Sequence, residues 1–186
     1  RVKGASINGK VGSSGFGSNQ PLRGAKGSTW EGGLRVPCIM RWPGLISGGM
    51  TCTQIVTSMD LYPTLATLAG VQVPSDRPID GIDLSSHILS GFKDGECRED
   101  FFYYNGENLE AVRSGKWKLH VGKTKRYDQP MSFIDELYNL EDDIGETMNL
   151  YDEYPQVVRT LSAKIDGCRK DIGDKATGTK GDNIRP

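Results

Sequence analysis

Ten residues, Gly24-Ala25-Lys26-Gly27-Ser28-Thr29-Trp30-Glu31-Gly32-Gly33, constrain this chain more than any other stretch. Glycines at this density let the backbone turn sharply or approach another group closely. Lys26 stands between two of them, and an ammonium held on such a backbone can meet an anion as a point charge with three donors. Trp30 supplies a large apolar body that can lock the turn against a core. From the residues alone two readings stand: an anion site, or a surface turn with a solvated lysine, which is the commoner fate of a Gly-Lys pair. The phosphate-loop template is not met, because Ala25 and not glycine precedes Lys26.

The chain has 186 residues, enough for one domain, or one domain and a piece of another. Its 23 basic and 24 acidic side chains leave a net charge of -1. That balance excludes non-specific nucleic-acid binding, which rests on displaced counterions, and a polybasic membrane surface. An apolar fraction of 36% with 24 glycines suits a loop-rich protein or one with disordered ends. No apolar run is long enough to span a bilayer, and Arg1 to Gly17 does not read as a signal peptide. With Arg1 and not Met at the start, the expectation is that the protein's true beginning lies upstream. Cys38, Cys52, Cys97 and Cys168 are widely spaced with no Cys-x-x-Cys pair, so a zinc site is not expected. They allow one or two disulfides, whose pairing the sequence leaves open. Cys38, in an apolar run, is expected to be a small buried hydrophobe.

Gly12 to Gly17 reads as a loop. Val36 to Trp42 reads as a buried strand ended by Pro43-Gly44, and Thr53 to Val56 as a second short strand. Thr57-Ser58-Met59-Asp60 opens a helix with a capping-box pattern. Leu61, Leu65 and Leu68 recur at helical spacing as an expected core stripe, and Gly70 is the expected stop. Asp80 reads as a turn residue and Asp83 as a helix cap, in preference to calcium ligands. His87, in the short helix that follows, reads as a surface or packing histidine.

Composition shifts after Gly91, and Phe92 to Asp100 reads as a linker. Phe101 to Tyr104, Ala111 to Arg113, Trp117 to Val121 and Glu136 to Leu140 read as four short strands, with Ser114-Gly115 as a hairpin turn. Tyr154 to Cys168 reads as a helix with Val157, Val158, Leu161 and Ile165 on one face. A run of antiparallel strands followed by a helix implies an open sheet with one face covered.

The segment Pro21 to Pro37, followed by Arg41-Trp42-Pro43-Gly44, resembles the second conserved block of the type I sulfatases. These are the formylglycine-dependent arylsulfatases, related in fold to alkaline phosphatase. The resemblance continues through Asp60 to Gly70, Ile79 to Leu84, Ala111 to His120, Glu136 to Leu140, Gly145-Glu146 and Asn149-Leu150; Ile144 stands where the family has proline. It implies an α/β fold, here an α+β fragment. Residues 1–92 would end the alkaline-phosphatase-like domain, and residues 93–172 would form a small C-terminal antiparallel sheet covered by a helix. Residues 173–186 are expected to be a disordered tail.

In sulfatases the lysine of this block contacts the sulfate group, which puts that role on Lys26. A histidine at the end of the Gly-Lys-Trp-Lys block can reach the active site, which makes His120 the second catalytic candidate; read alone, a strand histidine is structural. Sulfate ester hydrolysis also needs a nucleophile. In the family it is formylglycine, made within Cys/Ser-x-Pro/Ala-x-Arg, and no segment of this chain fits that pattern. The formylglycine and the ligands of the family's calcium ion are therefore expected upstream of this chain, in the N-terminal portion of the same sulfatase. The chain would be the C-terminal part of a secreted, periplasmic or lysosomal sulfatase acting on sulfate esters, inactive alone, with no nucleic-acid or membrane partner. A phosphonate or phosphate ester hydrolase and a non-catalytic binding module of the same fold are the alternatives.

Overall fold

The computed structural model describes residues 18–95, 97–124 and 132–184. The loop expected at Gly12 to Gly17 lies outside them. The chain forms two compact units, residues 1–36 with 101–186, and residues 37–100. The sequence division at 92/93 falls inside the second of these.

In the first unit, α1 (Glu31–Leu34) is a single turn at the end of the Gly-rich block. The sheet is built from β1 (Asp100–Asn105), β2 (Asn108–Ser114), β3 (Trp117–His120) and, after two short strands β4 (Lys123–Thr124) and β5 (Ser132–Phe133), β6 (Glu136–Asn139). Its order is β1-β2-β3-β6. β3 pairs antiparallel with both neighbours, Leu119 lying opposite Val112 on one side and Leu137 on the other. Those three residues share one face, and on it sits α4 (Pro155–Asp171) with Val158, Leu161, Ile165 and Cys168 buried. The predicted sheet and covering helix are therefore both present. Pro155 opens α4, where a missing N–H costs nothing.

Alternation turns Arg113, Lys118, His120 and Tyr138 to the opposite face, where the Gly-rich block lies. The ladder is irregular at one point. The Glu110 carbonyl accepts from the N–H groups of both Val121 and Gly122. Beyond this bulge Leu109 joins the helix-side core, while the Glu110 carboxylate meets Thr29 on the other face.

The tail expected to be disordered from residue 173 instead forms a hairpin, β7 (Gly173–Asp174) with β8 (Thr179–Lys180). Its anchor is polar. The Asp174 carboxylate is buried and accepts from Leu109 N–H at 3.2 Å, Ala176 N–H at 3.0 Å and Arg169 Nε at 3.0 Å. An apolar pattern could not signal a fold held in this way.

In the second unit a 3₁₀ turn (Ser58–Asp60) leads into α2 (Leu61–Leu68), and α3 (Ser85–Leu89) follows. The Thr57 N–H donates to Asp60 Oδ2 at 2.7 Å, the carboxylate half of the expected capping box. The Thr57 hydroxyl donates to the same oxygen at 2.9 Å, and with the Thr57 side chain facing the Asp60 N–H the capping box is complete. Gly70 ends the helix at φ 72, and Asp83 caps α3 by accepting from Ser85 N–H at 2.8 Å. Burial alone would raise the Asp60 carboxyl, but Arg98 and the N–H groups of Ile82 and Thr57 hold it below its usual range.

Three expectations fail in this unit. Val36 to Trp42 is not a strand; Val36 is 80% and Ile39 94% exposed, and Cys38 is exposed as well. Thr53 to Val56 contributes only a single bridge, between Ile55 and Arg98. The apolar stripe of α2 is also uncovered, with Leu61 and Leu65 both exposed. One cause explains all three. A strand needs a neighbour to satisfy its N–H and C=O groups, and an apolar stripe needs a facing element. Among the described residues of this unit Val36 to Trp42 and the α2 stripe have neither, and Thr53 to Val56 has a neighbour at one residue only.

Candidate functional site

The Gly-rich block folds as a tight turn on a stiff base. Ser28 N–H donates to the Ala25 carbonyl at 3.1 Å, and Gly27 lies at φ 88, the left-handed conformation that the third position of a type II turn requires. Lys26 therefore sits at the tip and is exposed. It has no hydrogen bond or ion pair with any described residue. The base is closed by Gly32 N–H donating to the Arg23 carbonyl at 2.8 Å. Gly33 packs so closely on Ser28 that a Cβ would collide with its carbonyl oxygen, so the turn cannot take a larger residue there.

Both flanks of the turn are tied to the sheet. On the N-terminal side the Arg23 guanidinium lies 3.5 Å over the Trp30 ring and donates to Tyr138 Oη at 2.9 Å and to the Glu146 carbonyl at 3.0 Å. Trp30 is buried with Tyr138 and Leu140, as its size predicts. On the C-terminal side Thr29 Oγ1 donates to Glu110 Oε2. Glu31 is the centre of the buried contacts. It accepts from Tyr103 Oη at 2.8 Å, from Lys118 Nζ at 3.0 Å and from Arg35 Nε.

Lys118 is 0% exposed, the largest fully buried side chain of the described residues. Its ammonium meets three oxygens. It donates to the Thr29 carbonyl at 2.7 Å and to Glu31, and it lies 2.7 Å from Glu146 Oε1 as an ion pair. Glu146 Oε2 in turn accepts the Glu31 N–H at 2.8 Å. A charge this deeply buried is tolerated only when paired and hydrogen-bonded. Sequence reasoning assigned no role to Lys118, Glu31 or Glu146. The available signal was a lysine between Trp117 and Leu119 in a strand-like run.

His120 lies in the same layer, 2% exposed and stacked on Trp30 at 4.1 Å between ring centroids. Neither ring nitrogen has a partner at hydrogen-bonding geometry, although the Thr29 backbone is close enough to favour the charged form. Burial, then Lys118 and Arg23 beside it, hold the imidazole well below its usual range, so the ring is neutral. The structure thus brings His120 under the block that carries Lys26, but buries the one and exposes the other.

The network has a pH signature. Burial alone would raise the Glu31 carboxyl, but Lys118, Arg35 and Tyr103 bring it from 4.5 down to about 2. A depressed carboxyl stabilises the fold fully above its unfolded value and loses that contribution as pH falls toward the folded value. Between pH 4.5 and 2 Glu31 alone therefore withdraws about 3 kcal/mol. Glu146 acts in the opposite sense, because burial keeps its carboxyl raised despite Lys118, and protonation favours its folded form. Urea midpoints measured from pH 6 to 3 should fall more steeply for the native chain than for Glu31→Gln. Parallel curves would refute the assignment.

Among the described residues no three His, Cys, Asp or Glu side chains gather to hold a metal ion, so these residues do not fit the family's calcium ion. Residues 25–171 match the family described as N-sulphoglucosamine sulphohydrolase, C-terminal. The chain is 45% identical over 106 residues to a steryl-sulfatase of Mus musculus, covering 55% of this chain and 17% of that protein. It is 44% identical over 105 residues to an N-acetylgalactosamine-6-sulfatase of Mus musculus, covering 56% and 20% respectively. Among solved structures it resembles the PsFucS1 sulfatase from Pseudoalteromonas sp., with a TM-score of 0.67 and 29% identity over 80% of this chain and 33% of that one. The matched region is about a fifth of the curated relatives' length. With the matched region covering the Lys26 turn, the sheet and α4, the chain belongs to the N-sulphoglucosamine sulphohydrolase C-terminal family and corresponds to the C-terminal portion of a sulfatase.

Proposed function

We propose that this chain supplies Lys26 as the sulfate-contacting cation of a sulfatase that hydrolyses aryl or carbohydrate sulfate esters. The observation that carries the reading is the turn itself: an exposed lysine at the tip, on a base whose two flanks are fixed by buried contacts. As an ester S–O bond breaks, charge builds on the sulfuryl and leaving oxygens. A cation already aimed there lowers the barrier without reorganising. Lys26 holds a sulfuryl oxygen, and the buried layer keeps its backbone from shifting. His120, neutral and stacked on Trp30, supports a positioning role through that ring in place of direct proton delivery.

The nucleophile and the calcium that the family implies would come from other parts of the whole protein, and the residues here hold neither. The uncovered apolar side chains of the second unit support such a partner. Ile39, Leu45, Met59, Leu61 and Leu65 are all exposed, and exposed apolar surface is what a covering element would bury. The covering element would be the N-terminal portion of the same sulfatase. No described helix is long and apolar enough to cross a membrane. We place the whole protein in a secreted, periplasmic or lysosomal compartment on the family resemblance.

The test is an assay of the whole protein on 4-nitrophenyl sulfate, sulfated monosaccharides, 4-nitrophenyl phosphate and a phenylphosphonate ester, with this chain alone in parallel. Turnover of a sulfate ester by the whole protein and none by the chain alone is expected. Faster phosphate or phosphonate hydrolysis would make it an esterase of another anion. Sulfate binding without hydrolysis would make it a binding module, and turnover by the chain alone would overturn the division of labour.

A further inference from the structure

We propose that Cys52 and Cys97 are a disulfide-forming pair, with the His87 imidazole as the base that lets the bond form. All three residues belong to the second unit, and the Lys26 site uses none of them. His87 on α3 is buried, and its Nδ1 lies 3.0 Å from the Asp94 carbonyl oxygen. A carbonyl can only accept, so Nδ1 carries the ring proton and Nε2 keeps its lone pair. Cys97 Sγ is 3.4 Å from both ring nitrogens, and Cys52 Sγ is 3.8 Å from Nε2. Two thiols from distant parts of the chain therefore converge on one imidazole, whose basic nitrogen is Nε2. Cys52 also reaches Gln54 Oε1 at 3.0 Å, which holds its sulfur on this side.

The approach is built by a folded loop. Phe92 N–H donates to the His87 carbonyl at 2.8 Å, and the Phe92 ring packs 5.4 Å from the imidazole. Ser90 Oγ accepts from Asp94 N–H at 3.0 Å. Gly95, at φ 98, lies so close that a Cβ would come within 2.7 Å of His87 N. On the other side the bridge between Ile55 and Arg98 sets the two cysteine-bearing segments next to each other. Burial and the neighbouring Cys52 both push the Cys97 thiol up. A metal site suits the cluster less well. Two thiols with one imidazole fall one ligand short of a closed structural site.

The chemistry balances with a small disulfide of the oxidised-glutathione class as oxidant. His87 Nε2 takes the Cys52 thiol proton, and the thiolate attacks one sulfur of the oxidant, releasing the first thiol. Cys97 loses its proton and attacks the Cys52 sulfur of the mixed disulfide, releasing the second. His87 passes each thiol proton on to the departing thiolate, so the protein loses two protons and two electrons in all and the oxidant becomes two thiols.

The experiment equilibrates the chain in oxidised and reduced glutathione, alkylates free thiols, digests, and maps the peptides by mass spectrometry. Cys52 and Cys97 peptides should be joined with a mass deficit of about two hydrogens, with Cys38 alkylated. In Cys52→Ser the Cys97 peptide should carry alkyl or glutathione and no link. The linked form should melt several degrees higher than the reduced one, because a long loop is closed in the unfolded state. Alkylation of both thiols after oxidation, a link to Cys38, a lower melting temperature of the linked form, or stoichiometric zinc shielding both thiols would each overturn the proposal.

Discussion

Lys118→Ala should destabilise the first unit by about 3–5 kcal/mol, because it removes a fully buried cation that touches two buried carboxylates at once. Glu31 and Glu146 are each 1% exposed, and both meet the Lys118 ammonium, at 3.0 and 2.7 Å. Arg35 still pairs with Glu31 after the change, but its side chain is 40% exposed and only one carboxylate gains. Glu146 keeps only the Glu31 N–H. The lost side chain also lies 4.2 Å over the Tyr103 ring, so packing is lost with charge. Lys118→Met separates the two effects. It restores most of the volume and none of the charge, so it should stay close to alanine in cost. Adding Glu146→Leu to Lys118→Met should recover part of the loss, since a buried charged group replaced by an apolar one removes a desolvation penalty. Urea denaturation followed by tryptophan fluorescence reads all three variants, Trp30 lying in the same layer. A loss below about 1 kcal/mol for Lys118→Ala would mean that the pair behaves as a surface ion pair.

The parts of this fold that were legible share one property: each carries its pattern within its own short stretch of sequence. β2 and β3 are joined by Ser114-Gly115, and the α4 stripe of Val158, Leu161 and Ile165 has a plain helical period facing Leu119 and Leu137. What stayed hidden depends on distant partners. Lys118 looks like a surface lysine because its carboxylates come from the Gly-rich block and from the turn at Glu146. Val36 to Trp42 has the composition of a strand, yet composition cannot supply a neighbour. The β7–β8 hairpin is tied down by the buried Asp174 carboxylate and by backbone bonds to Glu107, Lys170 and Asp171. The site divides in the same way. The glycines of the turn, the lysine at its tip and the locking Trp30 were readable from residue types. The layer that fixes them was not, because it is assembled from side chains of β1, β2, β3 and the turn after β6.

Lys26→Ala in the whole protein should lower turnover of a sulfate ester by about 10²–10³, the usual cost of removing one stabilising group aimed at developing charge. The fold should not change, because Lys26 is exposed and contacts no described residue that depends on it. This is what separates it from Lys118, a few strand residues from His120, whose loss acts through stability. Lys26→Arg should recover only part of the rate. The planar fork carries the charge but spreads its donors over a different shape from an ammonium. His120→Phe is the internal control. It keeps the stack on Trp30 and removes two unpartnered buried nitrogens, so it should hold or raise the melting temperature. If His120 only positions the turn, its phenylalanine variant keeps the native pH profile of kcat; if the ring delivers a proton, the profile loses a limb. Steady-state kinetics beside melting temperatures decide the question for Lys26. Near-native turnover in Lys26→Ala, or a loss that tracks unfolding, would make it an ordinary turn lysine on a well-anchored loop. The anchoring by Arg23, Thr29 and Glu31 would then serve the docking of the block and not the holding of an anion.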